Sequence, residues 1–348
     1  MADVFLALSA EDRREALAVA SDATGRPVHL LEKDVWVVWA LDVLFTSRFG
    51  SDLVFKGGTS LSKAYGVIRR FSEDVDLTYD IRAISGDLVA HTDDALPPNR
   101  SQEQKWSKTI KTRLAEWVQA QIAPLIQAAL AAGELEARVR SEGEKVFIDY
   151  DALATGTGYV SPSVMLEFGA RATGEPWQVV PVACDAAPAL PDLVFPTATP
   201  QVMLAERTFW EKATAIHVFC AQGRFRGADR FARHWHDVVR LDDAGYAAKA
   251  IADRALASAV AAHKSMFFAE KDSEGEPIDY QNAVSGHLRL APDGPARGLL
   301  AADYARMLDD GLLEDGAERF EDLITRCQKI QDVANATGAR YQAPISSD

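Results

Sequence analysis

Two short runs, Leu53-Val54-Phe55 and Asp74-Val75-Asp76-Leu77-Thr78-Tyr79, bracket the glycine turn Lys56-Gly57-Gly58-Thr59-Ser60, and this pattern constrains the fold more than any other stretch of the chain. In the second run Val75 and Leu77 alternate with Asp76 and Thr78, so the strand belongs to a sheet with one apolar and one polar face. Asp74 and Asp76 leave that strand on the same side, close enough to share a divalent cation. No obvious local Arg or Lys balances both, so their mutual repulsion calls for a cation or a proton. The glycines let backbone amides approach a phosphate, and Thr59 and Ser60 add hydroxyl donors. The Gly-Lys-Ser/Thr ending of a Walker A loop is missing. An isolated Asp-x-Asp is equally what an edge strand carries to discourage aggregation, so the pair gains meaning only beside the turn.

Around this centre the spacing predicts a helix from Leu31 to Phe49 ended by Gly50, with Val35, Val38, Trp39 and Leu41 on one face. Residues 81–100, punctuated by Ser-Gly, Asp-Asp and Pro97-Pro98, read as a long surface loop. Trp106, Ile110, Leu114, Trp117 and Val118 mark a further helix continuing to Ile126, kinked at Pro124. Its Lys105, Lys108, Lys111 and Arg113 fit solvated polar positions. Lys145 to Ile148 and Val164 to Phe168 read as strands joined hairpin-fashion across a Gly- and Thr-rich connector, and Trp177 to Cys184 adds another. Beyond about Pro200 the text becomes helical, at Met203 to Cys220, Ala228 to Leu241, Ala247 to Phe267 and twice more near the C-terminus. The expected class is α+β: a small mixed β-sheet core packed by helices, with a mainly helical C-terminal half. Residues 1–198 are expected to form the core with its N-terminal helices, and residues 199–348 a helical domain closing a cleft.

Composition narrows the classes. With 348 residues, 48% apolar and 25% charged, the chain suits one or two folded domains. A net charge of -14 argues against a generic nucleic-acid coat, which needs many Lys and Arg. Cys184, Cys220 and Cys327 are too few and too scattered for a disulfide framework or a Cys-x-x-Cys zinc site, and suit buried apolar positions. No apolar run approaches a membrane span and the first residues lack a signal peptide's basic start, so a cytoplasmic location without membrane contact is expected.

Gly57-Gly58-Thr59-Ser60-Leu61-Ser62-Lys63, followed by Phe71-Ser72-Glu73-Asp74-Val75-Asp76-Leu77, resembles the nucleotidyltransferase toxins of the AbiEii/AbiGii and MenT type, within the polymerase-beta-like superfamily. Two further stretches are similar: Glu206-Arg207-Thr208-Phe209-Trp210-Glu211-Lys212 and Arg233-His234-Trp235-His236-Asp237. The resemblance covers roughly Leu31 to Leu241. It implies a nucleotide-binding set of Gly57, Gly58, Thr59, Ser60, Lys63 and Lys212, with Thr59 and Ser60 on the triphosphate. It implies a catalytic set of Asp74, Asp76, Lys212 and Asp237, in which the two strand aspartates hold metal, Lys212 neutralises phosphate charge and Asp237 orients Lys212 or a substrate group. It further implies magnesium or manganese as cofactor, a nucleoside triphosphate as substrate, a tRNA 3′ end as acceptor, and a separately encoded antitoxin as partner. Without it, Lys212 would read as a snorkelling surface lysine and Asp237 as a helix-surface charge.

Other candidates stay open or fall back. The superfamily resemblance implies a third metal carboxylate from a neighbouring strand, and Glu167, opposite Val164, Leu166 and Phe168 in strand alternation, fits that role as well as that of a surface strand glutamate. Asp149 and Asp151 read as turn aspartates. His217, His234 and His236 lack metal spacing. Arg224, Arg226, Arg230 and Arg233, interleaved with Phe225, Phe231 and Trp235, suit either RNA contacts or helix ends. Asp74-Val75-Asp76-Leu77-Thr78 also matches the Asp-x-Asp-x-Thr of haloacid-dehalogenase-like phosphatases, but those need a hydrophobic strand before the first Asp, and Arg69 to Glu73 is mostly polar. Transfer to a protein target, or a catalytically silent binding partner, are the remaining alternatives.

Overall fold

The computed structural model describes residues 3–68, 70, 74–154, 161–223, 230–309 and 318–342. The chain divides into two compact units, the first made of Met1–Ala64, Ser72–Ala95 and Lys105–Met203, the second of Tyr65–Phe71, Leu96–Gln104 and Leu204–Asp348.

The first unit is built on a seven-stranded mixed sheet. Its strands are β1 (Leu53–Lys56), β2 (Asp74–Tyr79), β3 (Ala137–Glu142), β4 (Lys145–Tyr150), β5 (Ser163–Gly169), β6 (Trp177–Val179) and β7 (Gln201–Met203), in the order β3-β4-β5-β2-β1-β7-β6. The β2–β5 and β1–β7 pairs are parallel and the others antiparallel. Alternation sends Val75, Leu77, Val146, Ile148, Val164, Leu166 and Phe168 to one face, where all are buried. Helices cover that face through aromatic contacts. Trp36 of the helix Val28–Thr46 stacks on Tyr150 with centroids 5.3 Å apart, and Trp117, ending the helix Arg100–Trp117, stacks on Tyr79 at 4.0 Å. Each such buried side chain contributes about 1.5–3 kcal/mol, so the opposite face is free to carry polar residues.

Several local expectations change. Residues 81–89 form the helix Ile81–Val89, not loop: the Asp80 carboxylate caps it by accepting the Arg82 N–H at 2.7 Å, and Ile81 and Val89 are buried. Ser85, non-helical at φ -143°, interrupts the run and hides its period from the sequence. The kink near Pro124 is a π-helical turn over Val118–Ile122, just before the helix Ala123–Ala132, where proline has no N–H to give. Asp149 lies inside β4 and accepts from Arg140 at 2.7 Å, so its partner is a cross-strand arginine and not a turn. Part of the Gly- and Thr-rich connector, residues 155–160, lies outside the described residues, but the β4–β5 hairpin it joins is antiparallel as expected.

The helix Val28–Thr46 holds both flanks of that connector. Its buried Glu32 accepts the Leu153 N–H at 2.9 Å, while the next residue, Lys33, donates to the Ser161 carbonyl at 3.4 Å. Burial pushes the Glu32 carboxyl up from 4.5 to about 7, against the lowering effects of the Leu153 N–H and of Arg13 and Arg14. A carboxyl raised on folding keeps a proton that the unfolded chain has already released, so its contribution to stability is present at low pH and declines as pH rises across that window. E32Q keeps an acceptor for Leu153 and removes the titration. It is expected to exceed the wild type by up to about 3 kcal/mol at pH 8 and to match it near pH 4. Urea unfolding at both pH values checks this, and a pH-independent difference would refute it.

The second unit is helical. The helix Ala205–Gln222 buries Phe209 and Trp210 and stops at Gly223, which takes the left-handed conformation at φ 62°. The indole N–H groups of Trp210 and Trp235 donate to the carbonyls of Ala250 and Leu290, at 2.9 and 2.7 Å, so neither buried ring leaves a donor unmet. The next helix begins at Ala232, where the buried Asp303 carboxylate accepts the N–H groups of Arg230 and Ala232, each at 2.8 Å. The single helix expected from Ala247 to Phe267 is two, Tyr246–Ala252 and Arg254–Phe267, because Asp253 leaves helical geometry to cap Leu256. Arg224, Phe225 and Arg226 lie outside the described residues. Two longer helices, Gly294–Asp309 and Phe320–Gln342, complete the unit. Among the described residues no helix is long and apolar enough to cross a membrane.

Candidate active site

The polar face of the sheet carries one continuous row of charged residues. Register places Lys56 of β1 opposite Asp76 of β2, Asp76 opposite Glu167 of β5, Glu167 opposite Lys145 of β4, and Lys145 opposite Glu142 of β3. Asp74 stands two residues before Asp76 on the same face, while Val75 between them is fully buried. Lys145 donates to the Glu167 carboxylate at 2.9 Å, with both side chains partly exposed. The hydrogen bond to Glu167, helped by the charges of Glu167, Asp74 and Asp76, raises the Lys145 ammonium above its ordinary value against the cost of burial. Nothing in the sequence around Asp74 and Asp76 announces this lysine, which faces the carboxylate row from a strand far along the chain.

The glycine turn packs directly onto this row. Gly57 begins the short helix Gly57–Lys63 at φ +80°, and a Cβ built there would fall on the Asp76 carboxylate, with the carboxyl carbon only 2.9 Å away. Both the backbone conformation and the missing side chain are thus required for Asp76 to sit where it does. The buried Thr59 hydroxyl donates to the Asp74 backbone carbonyl, and the Ser60 hydroxyl donates to the Gly57 carbonyl at 2.9 Å. Turn and strand are tied together, and both hydroxyls are turned to backbone acceptors.

Lys63, at the end of this short helix, is engaged elsewhere. Its ammonium lies 2.5 Å from Asp34 and 2.7 Å from Asp185, and the Asp185 N–H donates to Asp34 at 2.6 Å. Arg26 completes the group by pairing with Asp185. Despite the desolvation that burial imposes, these two carboxylates raise the Lys63 ammonium above its ordinary value.

In the second unit, Asp237 is fully buried on the helix Ala232–Asp243 and gathers two cations. Arg70 grips it in a fork through Nε at 2.8 Å and Nη2 at 2.7 Å, and Lys212 reaches it at 2.9 Å. Burial alone would raise the Asp237 carboxyl, but Arg70 and then Lys212 outweigh it and hold the group well below the usual carboxylate range. Arg70 had no assigned role in the sequence, and its only signal there is that it lies in the polar stretch leading to Asp74. His236 adds its Nδ1 to Asp237 at 3.3 Å, and His217 accepts the Arg289 N–H, with burial lowering it to about 4. All three cysteines are free thiols, with Cys184 and Cys327 buried.

Among the described residues, no three His, Cys, Asp or Glu side chains converge closely enough to hold a metal by themselves. Two strand carboxylates beside a glycine turn nevertheless match the way magnesium is held, through one or two carboxylates with the remaining positions left for phosphates and water. Asp74 and Asp76 would be those ligands, with Glu167 beside them in the row.

A family model described as nucleotidyl transferase AbiEii toxin, Type IV TA system, matches residues 39–326, a span that contains both the carboxylate row and the Asp237 cluster. The protein is a nucleotidyltransferase. With most of its length matched, the chain belongs to the AbiEii toxin family. Among solved structures it is similar to MenT4, a nucleotidyltransferase toxin from Mycobacterium tuberculosis H37Rv, at 17% identity and a TM-score of 0.40, covering 95% of this chain and 99% of that one. No curated protein matches the chain.

Proposed function

We propose that this toxin transfers a nucleotide from a nucleoside triphosphate to an acceptor hydroxyl, with a tRNA 3′ end as acceptor and pyrophosphate as leaving group. The observation that carries the reading is the contact between Gly57 and the Asp76 carboxylate, which sets a phosphate-compatible turn against a strand bearing two aligned carboxylates. Asp74 and Asp76 would hold divalent cations, which would supply acidity to the attacking hydroxyl and charge stabilisation to the departing pyrophosphate. The protein's own contribution is positional: Thr59 locks the turn to Asp74, and Gly57 leaves room for Asp76. Lys212 and Asp237 enter through the family resemblance, Lys212 as a counter-charge to the triphosphate and Asp237 as the group fixing that lysine by their ion pair.

A phosphatase built on Asp74 is disfavoured, because such enzymes need a hydrophobic run immediately before the first aspartate and Arg69-Arg70-Phe71-Ser72-Glu73 is mostly polar. A separately encoded antitoxin follows from the family as partner. Incubation with each α-labelled nucleoside triphosphate, magnesium and total tRNA is expected to label tRNA with one preferred nucleotide. Label appearing only on protein, or remaining in the nucleotide whatever the base, would overturn the acceptor assignment.

A further inference from the structure

The row Lys56, Asp76, Glu167, Lys145 and Glu142 crosses five strands on one face, and its register alone brings a lysine to the far side of the metal-binding carboxylates. Lys145 is hydrogen-bonded to Glu167 at 2.9 Å, yet its side chain retains 37% exposure and Glu167 retains 45%. A pair that served only to stabilise the sheet would gain little at such exposure, since surface ion pairs contribute about 0–1 kcal/mol. The pair does change the charge that an incoming ligand meets. Asp74, Asp76 and Glu167 alone would present three negative charges, a strong attractor for a free divalent cation. Lys145 offsets one of them on the side away from the glycine turn, while Lys56, opposite Asp76, stands on the side of that turn.

The two ligands expected here respond to that lysine in opposite ways. A free divalent cation is positive and is repelled by Lys145, whereas the same cation carried on a nucleoside triphosphate arrives in a complex that is net negative and is attracted by it. We propose that Lys145 is a positioning residue that biases the carboxylate face toward the cation–nucleotide complex and away from the free cation, so that metal and nucleotide load together. This rests on the nucleotidyltransferase reading and assigns a role to a residue outside the motifs that define it. Glu167, held by Lys145, acts here as part of the charge relay across the row and leaves direct metal binding to Asp74 and Asp76.

The test is a pair of binding titrations on the full chain, with manganese alone and with manganese plus a non-hydrolysable nucleoside triphosphate. In K145Q, affinity for manganese alone is expected to rise about three- to tenfold, and affinity for the manganese–nucleotide complex to fall by a similar factor. K145R is expected to keep both wild-type affinities. A purely structural role would weaken both, and release of Glu167 to become a ligand would strengthen both, so a shift in the same direction, or none, overturns the proposal. Thermal melting of K145Q verifies that it is folded, and K145M provides a second neutral variant. D76N separates this inference from the reading beneath it. If D76N abolishes manganese binding while K145Q shows no opposed shift, only the role of Lys145 falls; if D76N alters neither titration, the metal site itself is wrong.

Discussion

Replacement of Asp76 by alanine, alone or together with Asp74, is expected to lower nucleotide transfer by at least about a thousandfold while leaving the protein folded. The loss follows from geometry: both carboxylates leave one strand face, and Asp76 is the group against which the Gly57 turn is shaped. Neither residue belongs to the buried apolar face that holds the sheet together, so stability should change by no more than about 1 kcal/mol. Part of their repulsion is already relieved by Lys145, and a large gain in stability on removing them is therefore not expected. Labelled-nucleotide transfer and thermal melting, measured side by side, check both halves. Transfer at the wild-type rate in the double variant would refute the site, and a phosphoryl group found on Asp74 in the wild type would restore the phosphatase.

In the second unit the expected result is the reverse, a collapse of stability. D237A leaves the Arg70 guanidinium and the Lys212 ammonium in a buried place without their shared carboxylate, at a cost of about 3–5 kcal/mol. A carboxyl held well below its usual range contributes stability above the unfolded-state value and loses it only as pH falls through the depressed value, so mild acid should not mimic the substitution. K212M is the informative contrast. Asp237 keeps its two-pronged bond to Arg70, so the fold should survive while transfer falls. Urea midpoints for both variants decide the matter: an unchanged midpoint in D237A would mean the pair is dispensable, and undiminished transfer in folded K212M would reduce Lys212 to a structural cation.

What the sequence revealed and what it concealed divide along physical lines. β2 was legible because its alternation has a period of two with one apolar face, β1 because Leu53-Val54-Phe55 is a short apolar run ended by glycines, and Gly57 because a turn of that kind needs a residue without a side chain. β3 was not read, since Ala137-Arg138-Val139-Arg140-Ser141-Glu142 carries charge on an edge where little apolar surface is buried. The helix Ile81–Val89 was obscured by the break at Ser85. The pairing of Lys145 with Glu167 depends on strand register, and that of Arg70 with Asp237 on tertiary folding across 167 residues. Local pattern contains neither. For the same reason Thr59, Ser60 and Lys63 were legible as polar residues at a turn, while the acceptors and carboxylates they meet were not.

The separation between Arg70 and Asp237 also has a temporal side. A ribosome emits these residues in order, and Asp237 follows Arg70 by 167 positions. At roughly 5–20 residues per second, the arginine leaves the tunnel on the order of ten seconds or more before its carboxylate is made. During that interval the residues of the glycine turn and of the Asp74–Asp76 strand are already in the nascent chain, on either side of an arginine whose carboxylate has not yet been made. Any nascent polypeptide cut short before Asp237 therefore bears the aspartate motif without the anchor for the segment leading into it. Formation of this ion pair is consequently a late event in synthesis, open only once the helix Ala232–Asp243 has emerged and Arg70 can exchange water for Asp237.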